Sequence, residues 1–176
     1  TSLSCHTPKC TLRVGKTVAQ RPMTEAELHE LLAKKFLGPL QGFKNRFGKD
    51  FEAALELDAS QELCVVGNLI RACRQPGLGL EVGMRYNFAS YGLWGLGLVS
   101  SATAGDALAL ALRFIPLTFA FCRISGGLED DLCTVTFEAP DVEPALQRFL
   151  VERDVAAASR LMRETLGPTF TLSRFT

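Results

Sequence analysis

The sequence is poor in the residues that most often carry chemistry. Its 176 residues include two histidines, His6 and His29. General acid–base and nucleophilic catalysis need such a group set beside a reacting partner and an orienting one. His29 lies beside Glu30 on a helix that reads as exposed, and no nucleophile accompanies it. There is no G-x-S-x-G turn. Gly92, Gly95 and Gly97 follow no strand and lack the spacing of a phosphate-cradling or dinucleotide loop. Charge of one sign is also missing, because 19 Lys plus Arg balance 19 Asp plus Glu. Clustered cationic charge is what holds nucleic acid phosphates, so this piece is not expected to bind DNA by itself. The longest apolar run, Tyr91 to Val99, falls short of the roughly 18 to 20 residues a membrane span needs. No cationic stretch followed by an apolar run opens the chain, which excludes a secretory signal there. The expectation is a cytoplasmic protein that is not an enzyme, with no catalytic residue and no membrane contact.

What is present is ordinary for a packed protein: 47% of residues are apolar and 22% charged. The cysteines, at 5, 10, 64, 73, 122 and 133, read as reduced structural thiols. Cys64 and Cys73 fall in a helical pattern, Cys122 and Cys133 in strand patterns. Cys5, His6 and Cys10 lack the second Cys/His pair that completes a tetrahedral zinc set. Glu129, Asp130 and Asp131 read as a hairpin turn, since calcium needs about six spaced oxygen ligands. No metal or cofactor is assigned.

Residues 1–22 carry four cations (Lys9, Arg13, Lys16, Arg21), no acid and weak periodicity, and read as a flexible N-terminal arm. Residues 23–176 then read as one domain. Thr24 and Glu27 make a capping box for a helix that stops at Gly38-Pro39. Residues 39–57 read as one or two short helices, weakened by Gly42 and Gly48. Asp58 caps a helix over 59–74, and Leu78 to Met84 forms another. Thr103 and Asp106 open a helix from Ala104 to Ile115 that is apolar on nearly every side and therefore expected at the centre. Leu117, Phe119 and Phe121 alternate with small or polar residues, as do Cys133, Val135 and Phe137. Joined by Ser125-Gly-Gly, the two runs read as a β-hairpin. A helix over 142–166, capped by Asp141, and a last strand at Phe170 to Arg174 complete the reading. The fold class is α+β: a mostly helical domain with a small antiparallel hairpin or three-stranded sheet packed on a long C-terminal helix.

The suggestive constellation is Arg85-Tyr86-Asn87-Phe88, followed by Tyr91 and Trp94. Small-molecule sites are apolar pockets with a few placed polar groups, and Tyr and Trp supply both. Arg113 and Arg123 flank the apolar helix and the hairpin, where an inward guanidinium would fork onto a carboxylate. Arg85, Tyr86, Tyr91, Trp94, Arg113 and Arg123 are the candidate ligand-binding residues.

From Gly77 to about Phe175 the chain resembles the N-terminal effector domain of AraC/XylS-type bacterial transcription regulators, of the arabinose-binding-like group. The matching text is Pro76-Gly-Leu-Gly-Leu-Glu-Val-Gly83, Ser90-Tyr-Gly-Leu93 and Gly97-Leu-Val-Ser-Ser-Ala-Thr103 leading into Asp106-Ala-Leu108. A stretch like Thr169-Phe-Thr-Leu-Ser-Arg174 closes it. Ala102 stands where the family usually has proline, and residues 1–57 match only loosely. The resemblance implies a homodimeric regulatory domain that binds a small effector, guessed as a carboxylate, fatty acid or amino acid. DNA would be met only through a C-terminal helix-turn-helix domain not in this chain, and the sensor itself would continue beyond the last strand. The alternative is an oligomerisation and protein-interaction module with no small-molecule ligand.

Overall fold

The structure, a computed structural model, describes residues 2–8, 10–129 and 132–174. It divides into two compact units, Thr1–Ala72 and Cys73–Thr176. Residues 1–22, expected as an arm, lie within the first of these units. The described part of that arm carries strands β1 (Ser2–Ser4), β2 (Arg13–Gly15), β3 (Thr17–Val18) and β4 (Arg21–Pro22). Pairs β1–β2 and β3–β4 are antiparallel, with Leu3 opposite Val14 and Val18 opposite Arg21. Strands this short give no periodic signal, yet Val14 is buried with Met23, Leu28, Leu31 and Leu37 in one core.

Helix α1 (Glu25–Lys34) begins at the expected capping box, with Thr24 Oγ1 accepting from Glu27 N and Glu27 Oε2 accepting from Thr24 N. It ends at Lys35 in the left-handed conformation, before Gly38-Pro39. Residues 39–57, expected as helix, instead belong to the antiparallel hairpin of β5 (Phe36–Lys44) and β6 (Asp50–Glu56). The turn explains why. Asn45 Oδ1 accepts from Phe47 N at 2.9 Å and Lys49 N at 3.1 Å. Gly48 sits at φ +78°, a region glycine enters without a Cβ penalty. Phe43 and Phe51 then meet across the strands with ring centroids 5.6 Å apart. Helix α2 (Ala59–Ala72) follows, and Asp58 Oδ1 accepts from Gln61 N at its start as expected.

The second unit is built on α6 (Pro144–Leu166), whose buried side includes Leu146, Phe149, Leu150, Ala157 and Leu161. Its N-cap is Glu143; the expected cap, Asp141, is engaged by Arg123 instead. Helix α3 (Leu78–Gly83) lies against α6 at a distance only glycine permits. A Cβ at Gly79 would stand 2.4 Å from Phe149 O, and one at Gly83 would stand 2.2 Å from Arg153 O. Helices α4 (Gly92–Val99) and α5 (Ala104–Arg113) follow. Thr103 caps α5 as its sequence indicates. The expectation that α5 is buried all round fails: only Ala107 is buried, and its remaining apolar residues are half-buried or exposed.

Strands β7 (Arg123–Glu129) and β8 (Leu132–Glu138) form an antiparallel hairpin, one stretch later than the first expected strand. Residues 117–122 are not a strand, because Pro116 feeds a 3-10 turn over Ile115–Leu117. The amides of Phe121 and Cys122 then bond a carboxylate rather than a ladder partner. Gly126 and Gly127, expected at the turn, lie inside β7; a Cβ at Gly126 would meet Thr134 O at 2.4 Å. Of the acidic triplet, Asp130 and Asp131 lie outside the described residues. Residues 170–174 form no strand, so this hairpin stays two-stranded among the described residues. The α+β class holds, with the hairpin and helix α6 in the expected order.

Candidate functional site

The aromatic segment is shaped by short-range bonds. Asn87 Oδ1 accepts from Ser90 N at 3.1 Å, and Ser90 Oγ lies 3.2 Å from Asn87 N as its acceptor, which closes a capping box on the 3-10 turn Phe88–Tyr91. Helix α4 presses on this turn at Gly95, where a Cβ would stand 1.9 Å from Phe88 O. Two side chains of α6 hold the same segment. Glu164 Oε2 accepts from Phe88 N at 2.8 Å, and the Arg160 guanidinium donates to the Met84 carbonyl.

These constraints gather three of the six candidate residues. Tyr91 stands 5.9 Å from Tyr86, 5.1 Å from Trp94 and 6.2 Å from Phe119, measured between ring centroids, with every pair tilted. Trp94 Nε1 is buried and finds no hydrogen-bond partner among the described residues. A buried donor without an acceptor costs about 1–3 kcal/mol, so an indole N–H left this way is a place where an acceptor would be welcome.

The three arginines are engaged elsewhere. Arg85 pairs with Glu81 one turn back at 2.9 Å. Arg113 lies over the Phe114 ring at 5.3 Å. Arg123 forks onto Asp141 through Nε and Nη2, both at 2.8 Å, and both side chains are about two-thirds exposed (67% and 65%). The carboxylate that Arg123 meets in the structure is that of Asp141, within the chain.

The residues that position the site were not among the candidates. Arg153 and Asp154 are 2% and 7% exposed, in the middle of the apolar stripe of α6. Asp154 Oδ2 accepts from Phe121 N and Cys122 N, each at 3.2 Å. Its Oδ1 accepts from Arg153 Nε at 2.8 Å, and Arg153 Nη2 donates to Phe119 O at 3.0 Å. Arg153 also lies 5.4 Å from the Phe121 ring centroid. A buried charge pair is tolerated where further hydrogen bonds satisfy both partners, and here those bonds fasten residues 119–122 to α6. Burial and the Asp154 carboxylate push the Cys122 thiol well up, so it stays neutral. The signal was in the spacing: 146, 149, 150, 153, 154, 157 and 161 follow one helical stripe, with two charges inside it.

The cluster offers ring faces and one buried donor. Among the described residues, no three His, Cys, Asp or Glu side chains come together to hold a metal ion. No helix there is long and apolar enough to cross a membrane.

Comparison with known proteins gives two family matches. Residues 51–176 match the arabinose-binding domain of AraC transcription regulator, N-terminal. Residues 9–67 match the C-terminal repeat of topoisomerase. An uncharacterized HTH-type transcriptional regulator of Mycobacterium bovis is 30% identical over 99 residues, covering 56% of this chain and 29% of the relative. One of Mycobacterium tuberculosis matches to the same extent, 30% over 99 residues. The chain thus spans under a third (29%) of the length of these curated relatives. No solved structure matches it significantly.

Proposed function

The chain belongs to the family of N-terminal arabinose-binding domains of AraC transcription regulators, and we propose that it senses a small organic effector through Tyr86, Tyr91, Trp94 and Phe119. It is a regulatory domain by family, and that family is not an enzyme class. The observation that carries the effector reading is the buried Trp94 Nε1, unpartnered among the described residues, with the Tyr91 ring tilted against the indole at 5.1 Å. An effector with an apolar body and one acceptor group fits it: a carboxylate, a fatty acid or an amino acid. Binding would shift a dimer between arrangements, and DNA would be met in the cytoplasm through a helix-turn-helix domain elsewhere in the full regulator. The relatives' description as HTH-type supports that arrangement. The topoisomerase-repeat match falls within the first unit and overlaps the arabinose-binding match over residues 51–67.

Trp94 is the single tryptophan of the sequence, so intrinsic fluorescence reports on the cluster alone. Titration with these classes, and with arabinose as the sugar named in the family's description, is expected to change Trp94 emission and raise the melting temperature. At a ligand concentration near 100 times Kd, stabilisation reaches about 2.7 kcal/mol. No emission change and no stabilisation across all these classes, in a cooperatively melting protein, overturns the reading.

One observation favours a module that only oligomerises: Leu93 is 87% exposed and Leu117 is 76% exposed, both in the second unit. Exposed apolar residues mark an interaction surface where they join into one contiguous patch. Light scattering at tens of micromolar separates the cases. A monomer at that concentration removes the dimer from both readings.

A further inference from the structure

The family match to a transcription regulator leaves residues 1–50 unassigned, and they hold a constellation that the effector reading does not use. Strands β1 and β2 are closed by Cys5 N bonding Leu12 O at 3.1 Å, and Cys10 N bonds Thr7 O at 3.0 Å in the connecting turn. This turn brings the two thiols together over α2. Asn68 Nδ2 lies 3.2 Å from Cys5 Sγ and 3.4 Å from Cys10 Sγ, donating to both. Thr7 N donates to Cys5 Sγ at 3.4 Å. The orientation of the Asn68 amide is set from its other end, where Arg71 donates to Oδ1. Both cysteines are half-buried, so their sulfurs remain within reach of a small reagent.

Hydrogen bonds donated to a sulfur favour its thiolate over its thiol. The bonds from Thr7, helped by Cys10 and Asn68, bring the Cys5 thiol down to about 7. An attacking thiol is best suited to exchange when its pKa lies near the ambient pH. A second thiol sharing the same donor stands ready to displace whatever the first has captured.

We propose that Cys5 and Cys10 form a reactive dithiol site for low-molecular-weight disulfides, with Cys5 attacking and Cys10 resolving. The Cys5 thiolate attacks one sulfur of the small disulfide, whose S–S bond breaks and releases one thiolate. That thiolate takes up the proton Cys5 gave up. Cys10, losing its own proton, then attacks the Cys5 sulfur of the mixed disulfide and expels the second small thiolate, which takes that proton. The Cys5–Cys10 disulfide forms, two electrons pass to the reagent, and one disulfide becomes two thiols. No third ligand is brought beside the pair among the described residues, which distinguishes it from a closed zinc site.

The test treats the whole chain with oxidised glutathione near neutral pH, followed by mass spectrometry of the intact protein and of its peptides. The expected product has lost two hydrogens and links the peptides of Cys5 and Cys10, while Cys73 and Cys133, both exposed, keep free thiols or carry glutathione. Cys10→Ser should stall with glutathione on Cys5, and Cys5→Ser should leave Cys10 at the rate of an ordinary thiol. Under brief alkylation Cys5 is expected to react roughly three-fold faster than Cys73, the gain in thiolate fraction being offset by lower nucleophilicity. Asn68→Ala should slow both steps while leaving the folded signal in place. A Cys5 that reacts no faster than Cys73, a mixed disulfide that persists on wild-type Cys5, or a link between other cysteines overturns the proposal.

Discussion

Replacing Asp154 by alanine tests whether the buried pair on α6 fastens the aromatic segment. The substitution removes the acceptor for Phe121 N, Cys122 N and Arg153 Nε. Arg153 keeps its bond to Phe119 O, at 3.0 Å. Breaking a buried ion pair by deleting one partner costs about 3–5 kcal/mol, because the other charge stays buried. That is a large part of the roughly 5–15 kcal/mol that holds a domain folded. At about 4 °C per kcal/mol for a unit of this size, the second unit should melt some 12–20 °C lower. Trp94 fluorescence in a urea titration follows this unit alone, since the first unit has no tryptophan. Asp154→Asn retains one oxygen for the two amides but turns an NH2 toward the guanidinium, and should lose about 2 kcal/mol. Arg148→Ala removes a pair whose arginine is 80% exposed and should change little, by about 0.5 kcal/mol or less. An Asp154→Ala protein within about 1 kcal/mol of wild type would refute the claim that these bonds hold residues 119–122 in place.

Glycine substitutions should divide by sign. Gly83→Ala drives a Cβ to 2.2 Å from Arg153 O, an atom of the α6 backbone that cannot swing aside; the loss should reach about 2 kcal/mol despite a helix-propensity gain near 1 kcal/mol. Gly105→Ala meets only Thr103 Oγ1, at 3.7 Å, and should stabilise by up to about 1 kcal/mol in the same urea titration. Equal signs would show that contact distance does not decide the outcome. The Arg21 guanidinium, with the Thr24 amide, holds the Glu27 carboxyl down to about 2 from its usual 4.5. Because the folded pKa is depressed, this contribution is full above about 4.5 and drains away as pH falls toward 2. The stability gap between wild type and Glu27→Gln, followed by far-UV circular dichroism, should therefore close between those limits; a gap unchanged at pH 2.5 contradicts the assignment. The neutral, buried Cys122 should resist a thiol reagent that labels Cys73 and Cys133 at once, reacting only in denaturant; prompt labelling in the native protein would show that its burial is wrong.

Helices were legible in the sequence wherever local chemistry sets them. Thr24 with Glu27, Asp58 with Gln61 and Thr103 with Asp106 each complete a bond within four residues, so residue type alone signals the start. The hairpin of β5 and β6 was hidden because Gly42 and Gly48 were weighed as poor helix residues rather than as turn and bulge residues. Their φ values of +88° and +78° are the reason for their presence. β7 was displaced for a similar reason. Gly126 serves close strand contact with Thr134, and a glycine pair in a ladder looks like a turn in one dimension. At the candidate site the aromatic triad was legible and its polar supports were not. Arg153 and Asp154 bond to backbone atoms more than thirty residues away in sequence, and nothing in a single sequence names such partners.

The two segments that carry the aromatic cluster are fastened to one helix by bonds of different depth. Residues 119–122 are held by Asp154 and Arg153, both nearly fully buried. The turn around Phe88 is held by Glu164 and Arg160, whose side chains are 26% and 37% exposed. A ligand moves an equilibrium only by its difference in affinity between two states, and a tenfold bias takes about 1.4 kcal/mol. A charge-assisted bond such as Phe88 N to Glu164 contributes about 1.5–3 kcal/mol, the same order, whereas breaking the buried pair costs about 3–5 kcal/mol. For the effector proposed at Trp94, a bias of that order would come close to the outer fastening and fall well short of the inner one. Under that proposal the Phe88 turn would be the part that responds, and the segment at Phe119 would stay in place.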